Sequence, residues 1–544
     1  MSVESKIKQI YELHRQSGLY EDSFENTIYK LTNAYDYFYL EMFKQLIAKV
    51  KSGLPYNFRD QNWEALNDYR HAYRACIKFV YKDCKHGTFD TKIRFSDISK
   101  YQEEIKGTVS FNYIRNAVHR YKLGKYSANL IGDKLYFEHK QGDRPLIYDV
   151  YSRSIADEIP GGKNSNDDIK TLNFDAMIVE LSFKKQEFQS KKLFKPANHE
   201  LRELIYNLFY YYLGDLDSKI GYLQPTTYTL GEYLLVYCYL TAIGVYKTAY
   251  LLFLKSDNDL VYQPSILYPK ERLIADIAEV VHVEQEDARA IIKDMTYDYN
   301  FQKDRITLYQ PLFEIGDSIL SSTSMLFRSY VIDKAMKYFD CKGTNKENLS
   351  IYHRYMSDKM NHRMAKNLPL KYPNLVTFEN KILTIDQSPK AEVDLFVFDT
   401  CSKTAALIEL KNYSPVDNDA DAQKKEERIN KAIESRLEKD KRVLANLGLF
   451  FEQNGISKEY LNYQFSSLIV TNEYAGGVGV KENIKVLDEA LFYYLLRLFQ
   501  GNLKEFMAFV EKGDFFNILE KTIKIGDAST DYTYKGITVG VINK

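Results

Sequence analysis

The sequence is poor in most features that identify a protein at a glance. Its 544 residues include one tryptophan, five cysteines and 12 prolines, and neither charge is in excess, since 74 Lys and Arg balance 74 Asp and Glu. The cysteines (Cys76, Cys84, Cys238, Cys341 and Cys401) are odd in number and scattered, with no Cys-x-x-Cys or Cys/His spacing. That argues against a disulfide framework or a cysteine-built zinc site, and predicts reduced thiols in a cytoplasmic protein. Charge neutrality argues against constitutive, nonspecific binding to polyanions, while a local basic face stays open. Long apolar runs are missing too. The most apolar stretch, "GEYLLVYCYLTAIGVYKTAYLLFLK", has only 14 uncharged residues between Glu232 and Lys247. A membrane span needs about 20, so a buried core helix is predicted and no membrane partner. The N-terminal "MSVESKIKQIYELHRQ" lacks an apolar signal segment and reads as a helix. "NEYAGGVGV" holds Gly476, Gly477 and Gly479 but no Lys-Ser/Thr, so it is a loop and not a P-loop.

What is present is an ordinary globular composition, 45% hydrophobic and 27% charged, in a chain long enough for two to four domains. Tyr (46) and Phe (31) dominate the aromatics. The tyrosines fit either base-stacking surfaces or a compositional bias shared with Lys and Asn, and the bias is the plainer reading.

The pattern along the chain predicts a multidomain α+β protein. Residues 1–160 form a mixed α/β region, helical through about residue 80, with strands at "KHGTFDTKIRF" and "IGDKLYFEHKQGDRPLIYDV". "PGGKNSNDDIKT" (160–171) is a linker or exposed loop, and 161–260 is mainly helical. Residues 261–345 form a connector. Within it "LIADIAEVVHVEQEDARAIIKDM" predicts two short helices around a turn near 283–285, and "ITLYQPLFEI" a hairpin. This resembles a winged helix-turn-helix. Its second helix carries Glu284, Glu286, Asp287 and Asp294 against Arg289 and Lys293, which phosphates would repel, so a connecting role is favoured over DNA reading. Residues 346–500 are an α/β region, and 501–544 a C-terminal helix and hairpin. Separately, "YIRNAVHRYKLGKYS" offers Arg115, Arg120 and Lys122 among Tyr113, Tyr121 and Tyr126, a surface for a nucleic-acid strand or a protein partner.

The chemistry concentrates in "AEVDLFVFDTCSKTAALIELKNY" (391–413), where charged residues interrupt two apolar strands. A helix, "NLSIYHRYMSDKMNHRMAKNL", ends before "PLKYP" and precedes them, with "LVTFENKILTID" as a further strand or hairpin. A charged helix over 421–447 follows, with Ile429, Ile433, Leu437, Leu444 and Leu447 as its apolar stripe and the rest a solvated face whose first turns alone approach the site. Strand "FSSLIVTN" and helix "VLDEALFYYLLRLFQ" complete the region. Glu409 and Lys411 are two apart on one strand and share a face. A hairpin through "DTCSKT" brings Asp394 of the preceding strand near them. Two carboxylates and a lysine in apolar surroundings call for compensation. A divalent cation supplies it, because Mg²⁺ prefers carboxylate oxygens and water, although inert ion pairs are an alternative. Glu392 and Asp399 read as solvent groups at strand edges, Glu392 close enough to assist. His353 and His362 read as surface residues.

Asp394 in "EVDLFVFD" and Glu409-Leu410-Lys411 in "ALIELKNY", set in this order of helices and strands, resemble the PD-(D/E)xK phosphodiesterase superfamily, the fold of restriction-endonuclease-like enzymes. Val393 stands where that pattern commonly has Pro. Asp90-Thr91-Lys92, Glu104-Ile105-Lys106, Glu138-His139-Lys140 and Asp340-Cys341-Lys342 repeat the triplet without the flanking strands. The resemblance implies that Asp394 and Glu409 hold Mg²⁺, with Mn²⁺ as a substitute, and that Lys411 is catalytic. It gives Asp358, and less well Asp333, as the acid of the first helix, and Gln423, Lys424 or Arg428 as the polar residue of the charged helix, Arg428 contacting nucleic acid. The implied function is a regulated endonuclease hydrolysing DNA, RNA not excluded, in a restriction or anti-phage defence setting, with a protein partner or homo-oligomerisation. The alternative is an inactive nuclease-fold module for nucleic-acid binding or assembly.

Overall fold

The computed structural model describes residues 2–52, 63–122, 124, 126–139, 177–178, 181, 199–213, 218–253, 263–302, 310–327, 331–342, 345–385, 389–413, 419–472, 485–512 and 529–542. The linker expected at 160–171 lies outside them. The chain is a multidomain α+β protein with sheets of four, five and three strands among the described residues. These residues fall into two compact units, one running to Leu349 and taking in the C-terminal hairpin, the other running from Ser350 through Lys512.

Unit 1 is where the tyrosines go. Helices Phe24–Lys51, Trp63–Asp83 and Phe95–Lys122 bury Tyr29, Tyr35, Tyr39, Tyr73 and Tyr101. Tyr35 stacks on Tyr73 with centroids 4.1 Å apart, and the Tyr73 and Thr32 hydroxyls are 3.0 Å apart. A buried ring with a satisfied hydroxyl works as core. The strand expected at 85–95 is absent. The segment is irregular up to the helix start at Phe95, because side chains of helix Phe24–Lys51 and its approach take its backbone groups. Ser23 Oγ and Asn26 Nδ2 donate to Thr88 O, Asp90 N donates to Asn26 Oδ1, and Tyr29 Oη donates to Thr91 O. The apolar helix Leu230–Phe253 is a core helix: it is the one described helix long and apolar enough to cross a membrane, and 83% of its apolar window is buried within the protein.

Helices Lys270–Val281 and Gln285–Met295 flank the turn that the sequence predicted. Strand Leu312–Ile315 pairs with Ser318–Ser321, which also pairs with Ile266–Pro269, a strand the sequence reading missed. The C-terminal hairpin, Ser529–Tyr534 with Ile537–Ile542, extends the sheet of Tyr126–Ile131 and Lys134–His139, with Ile537–Ile542 parallel to Lys134–His139. Tyr534 Oη lies 2.9 Å from His14 Nδ1. Unit 2 is therefore inserted in the chain of unit 1, and a truncation after residue 345 would remove half of this sheet as well.

Unit 2 comprises α1 (Lys346–Lys371) from Ser350 onward, β1 (Leu375–Leu383), β2 (Ala391–Asp399), β3 (Thr404–Lys411), α2 (Asp419–Ala445), α3 (Leu447–Asn454), β4 (Gln464–Thr471), β5 (Lys485–Asp488), α4 (Glu489–Leu498) and α5 (Leu503–Lys512). The sheet order is β5-β4-β3-β2-β1. β2 pairs antiparallel with both β1 and β3, and β3, β4 and β5 are parallel. Leu395, Ile408, Leu410, Leu468 and Val470 pack against Met364 and Leu368 of α1, Leu495 of α4 and Phe506 of α5. Phe396, Phe398 and Leu407 pack against Phe450 and Phe451 of α3, while Ile469 and Val486 meet Ile429 and Ile433 of α2. Each fully buried side chain of this kind contributes about 1.5–3 kcal/mol.

"LVTFENKILTID" gives the single strand β1, the first of the two options. Three local expectations change. α1 runs through Pro369 instead of stopping before it. Proline there removes the bond to the carbonyl four residues back, and the Thr377 hydroxyl donates to that Ala365 carbonyl at 2.7 Å instead. "VLD" is strand β5 rather than helix. Asp399, expected in solvent, is buried: it accepts from Ser402 Oγ, Asn374 Nδ2 and the backbone N–H groups of Cys401, Ser402 and Leu503, tying the β2–β3 turn to the start of α5. Burial raises its carboxyl, but these donors outweigh that and hold it below the ordinary range.

Candidate functional site

The β2–β3 register pairs Leu395 with Ile408, so the next pair out is Asp394 with Glu409. Directly opposed residues in an antiparallel pair share a face. Lys411, two residues on, shares it too. That face is the one covered by α2. Asn380 of β1 lies opposite Asp394, between the pairs Glu379–Leu395 and Lys381–Val393, and has φ +52°. The left-handed region is one that Asn tolerates. There the side-chain alternation slips, since Leu395 packs with the α1, α4 and α5 cluster while Val393 joins Phe396. Asp394 is left half-buried rather than sealed in the core.

Its Oδ2 accepts the Leu410 N–H at 2.7 Å. Glu409 is almost wholly buried and faces three cations. Lys411 Nζ is 2.6 Å from Oε1, Arg436 Nη1 3.3 Å from Oε2, and Lys439 Nζ donates to both oxygens at 3.2 and 3.3 Å. Arg436 is fully buried, and its Nη2 lies 2.5 Å from Asp440 Oδ1. The electrostatics therefore differ between the two carboxylates. Burial raises Glu409, but Lys411, Lys439 and Arg436 overcome it and hold the group below its ordinary value. Among the described residues no cation forms an ion pair with Asp394: burial first, then the charge on Glu409, push it up to about 6 despite Leu410 N–H, Lys411 and Lys439. Burial lowers Lys411, yet Glu409 and then Asp394 bring it above its ordinary value, so at neutral pH it is an ammonium ion.

Asp394, Glu409 and Lys411 are thus brought together. Asp358 and Glu392 are exposed, and Arg428 is exposed at the start of α2, where its charge acts on Tyr413. The side chains of Gln423, Lys424 and Asp333 lie outside the described residues. Arg115, Arg120 and Lys122 belong to unit 1, where Arg120 Nη1 donates to Tyr126 Oη at 3.1 Å and Lys122 is exposed. The tyrosines among them are engaged within the unit: Tyr113 stacks on Tyr532 at 4.5 Å, and Tyr121 donates to Glu4.

The expectation that only the first turns of α2 reach the site is corrected. Arg436, Lys439 and Asp440, far along the helix, supply the contacts, so the helix is not a solvated face there. The buried stripe of α2 is Lys425, Ile429, Ala432, Ile433, Arg436, Asp440 and Val443, while Leu444 is exposed. The sequence signal was present: Arg436 and Asp440 occupy positions at which helical spacing from Ile429 and Ile433 calls for apolar residues.

A two-carboxylate site is the most that the described residues offer a metal ion, because no group of three or more His, Cys, Asp or Glu that could hold one occurs among them. Mg²⁺ commonly binds through one or two carboxylates, with water completing its shell. Asp394, the under-compensated member, is suited to that role.

The raised Asp394 group has a consequence for stability. A carboxyl whose folded pKa exceeds its ordinary 3.8 favours the fold below pH 4 and loses that contribution as pH rises through about 6. Asp394→Asn keeps an acceptor for Leu410 N–H and removes the charge. In EDTA the variant is expected to be more stable than the parent at pH 7.5, by on the order of 2 kcal/mol, with the advantage gone by pH 4. Denaturant midpoints across that range check this, and equal midpoints throughout would refute it.

No protein-family model, no curated protein and no solved structure matches the chain.

Proposed function

We propose that unit 2 is a metal-dependent endonuclease core of the PD-(D/E)xK kind, hydrolysing DNA phosphodiester bonds. The observation that carries this reading is the convergence of Asp394, Glu409 and Lys411 on one face, where the antiparallel part of the sheet meets the parallel part. The order of α1, three antiparallel strands, α2 and a parallel strand agrees with it. Asp394 and Glu409 would hold Mg²⁺, which supplies polarisation of the phosphodiester and a lowered pKa for an attacking water. Lys411, already protonated, offsets charge on the reacting phosphate and is not a general base in this state. Arg436 and Lys439 fix the Glu409 carboxylate from the helix side.

The segment 266–321 supports a connecting role. Its helix pair and three strands have the order of a winged helix, but the second helix does not suit phosphate. Arg289 is engaged by Glu271 at 2.7 and 2.9 Å, and Asp294 accepts from Tyr228 and Tyr338 at 2.6 and 2.8 Å. A large non-catalytic unit carrying such a module suits an enzyme held in check until a target or partner engages it, as in restriction or anti-phage defence.

One observation favours a second reading, an inactive nuclease-fold module: three cations already neutralise Glu409. The experiment that decides uses the full chain with supercoiled plasmid, linear duplex, single-stranded DNA and RNA, each in Mg²⁺, Mn²⁺ or EDTA, beside Asp394→Ala. Cleavage of DNA in Mg²⁺, absent in EDTA and lost in the variant, is the expected result. RNA cleavage alone would change the substrate. Absence of cleavage together with no thermal stabilisation by Mg²⁺ would establish the inactive module.

A further inference from the structure

Helix Phe95–Lys122 of unit 1 carries Arg115, His119 and Lys122 at i, i+4 and i+7, one face of a helix. With Tyr11 and Asn116 they line a cavity of about 190 Å³. The Arg115 guanidinium lies over the Phe79 ring, 5.9 Å from its centroid, and the residue is half-buried. Burial holds its pKa below the ordinary arginine value, and the Tyr11 hydroxyl opposes that. Among the described residues no carboxylate forms an ion pair with Arg115. The acids of helix Val3–Arg15 are occupied elsewhere: Glu4 accepts from Tyr121 at 3.1 Å, and Glu12 lies 3.7 Å from Lys8. Lys535 adds a further positive charge to this neighbourhood: after burial, it and Arg115 push His14 down to about 4.

A half-buried guanidinium with no carboxylate ion pair among the described residues, backed by an aromatic ring and opening on a cavity that Lys122 and His119 also line, is a poor structural element and a good anion receptor. The cavity is smaller than the roughly 300 Å³ at which sites for drug-sized ligands begin, so it takes an anionic head group and leaves the remainder of the ligand outside. We propose that this cavity binds a phosphate monoester, the group carried by a 5′-phosphorylated nucleic-acid end or by a free nucleotide. Arg115 supplies the fork, Lys122 the second charge, and Tyr11 and Asn116 neutral donors. The site is independent of the carboxylates of unit 2.

The test uses the full chain in EDTA, so that no metal chemistry intervenes. Affinities are measured for 3′-labelled oligonucleotides bearing a 5′-phosphate or a 5′-hydroxyl, and for AMP and inorganic phosphate at constant ionic strength. The 5′-phosphate is expected to improve affinity about tenfold, the order of one charge-assisted pair. Arg115→Met, which keeps the packing on Phe79, removes that preference, and the exposed Lys122→Ala weakens it about threefold. A preference seen only with AMP and phosphate identifies a free nucleotide as the source and sustains the proposal. Equal affinity for both oligonucleotides with no binding of AMP or phosphate overturns it. A folded Arg115→Met protein that retains the wild-type preference overturns it as well, and Lys122→Ala is read alongside so that a folding defect in the first variant does not decide the matter.

Discussion

Lys411→Ala is expected to reduce Mg²⁺-dependent cleavage by about 10²–10³-fold, the loss that follows removal of one preorganised charge-stabilising group. The argument rests on what remains after the substitution. Glu409 keeps Arg436 and both contacts from Lys439, so its carboxylate stays compensated and in place. Lys411 is one-third exposed, and its ion pair with Glu409 is partly screened, so the stability loss is no more than about 1 kcal/mol. Rate and stability therefore separate: single-turnover cleavage falls steeply while the melting temperature moves little. Lys411→Arg restores the charge but not the compact ammonium, and recovers only a small part of the rate. A Lys411→Ala rate within threefold of the parent would sink the assignment.

Strands β1 to β4 of unit 2 were legible because each is an apolar run closed by a turn signal, and because Asp394, Glu409 and Lys411 are anomalies that stand out in such runs; β5 was not, because its four residues lead straight into α4. The support behind them was not, since i,i+4 charge patterning on a helix looks the same whether the face meets water or Glu409. Only the position of Arg436 and Asp440 within the Ile429–Ile433 stripe separates the two cases. Residues 85–95 failed for another reason. Their alternation resembles a strand, but Ser23, Asn26 and Tyr29, some 60 residues earlier in sequence, satisfy the backbone in place of a partner strand. Asp399 is similar, because its donor at Leu503 is 104 residues away. Local pattern carries the elements, and distant side-chain to backbone bonds revise them. The C-terminal hairpin is the extreme case, its partner Lys134–His139 being some 400 residues away.

Arg436→Ala is expected to destabilise unit 2 by about 3–5 kcal/mol, the range for removing one member of a buried ion pair. Arg436 has no exposed surface and sits between Glu409 and Asp440. Without it Glu409 still has two lysines. Asp440, already raised by burial and by Glu409 and held back by Arg436 and Ser467, loses its only cation among the described residues and protonates. The cavity left by the side chain adds to the loss. Replacing both partners, Arg436→Met with Asp440→Leu, removes the two desolvated charges together and is expected to recover most of the stability, so the double variant separates charge burial from packing. The two units allow an internal control. The only tryptophan, Trp63, belongs to unit 1, so its fluorescence follows that unit while far-ultraviolet circular dichroism follows both. The Arg436→Ala protein is expected to show an early circular-dichroism transition in urea that precedes an unchanged tryptophan transition. If both transitions instead moved together, Arg436 would act on the whole chain rather than on unit 2. If neither moved, the guanidinium would not be the strut that its burial and its two carboxylate neighbours make it.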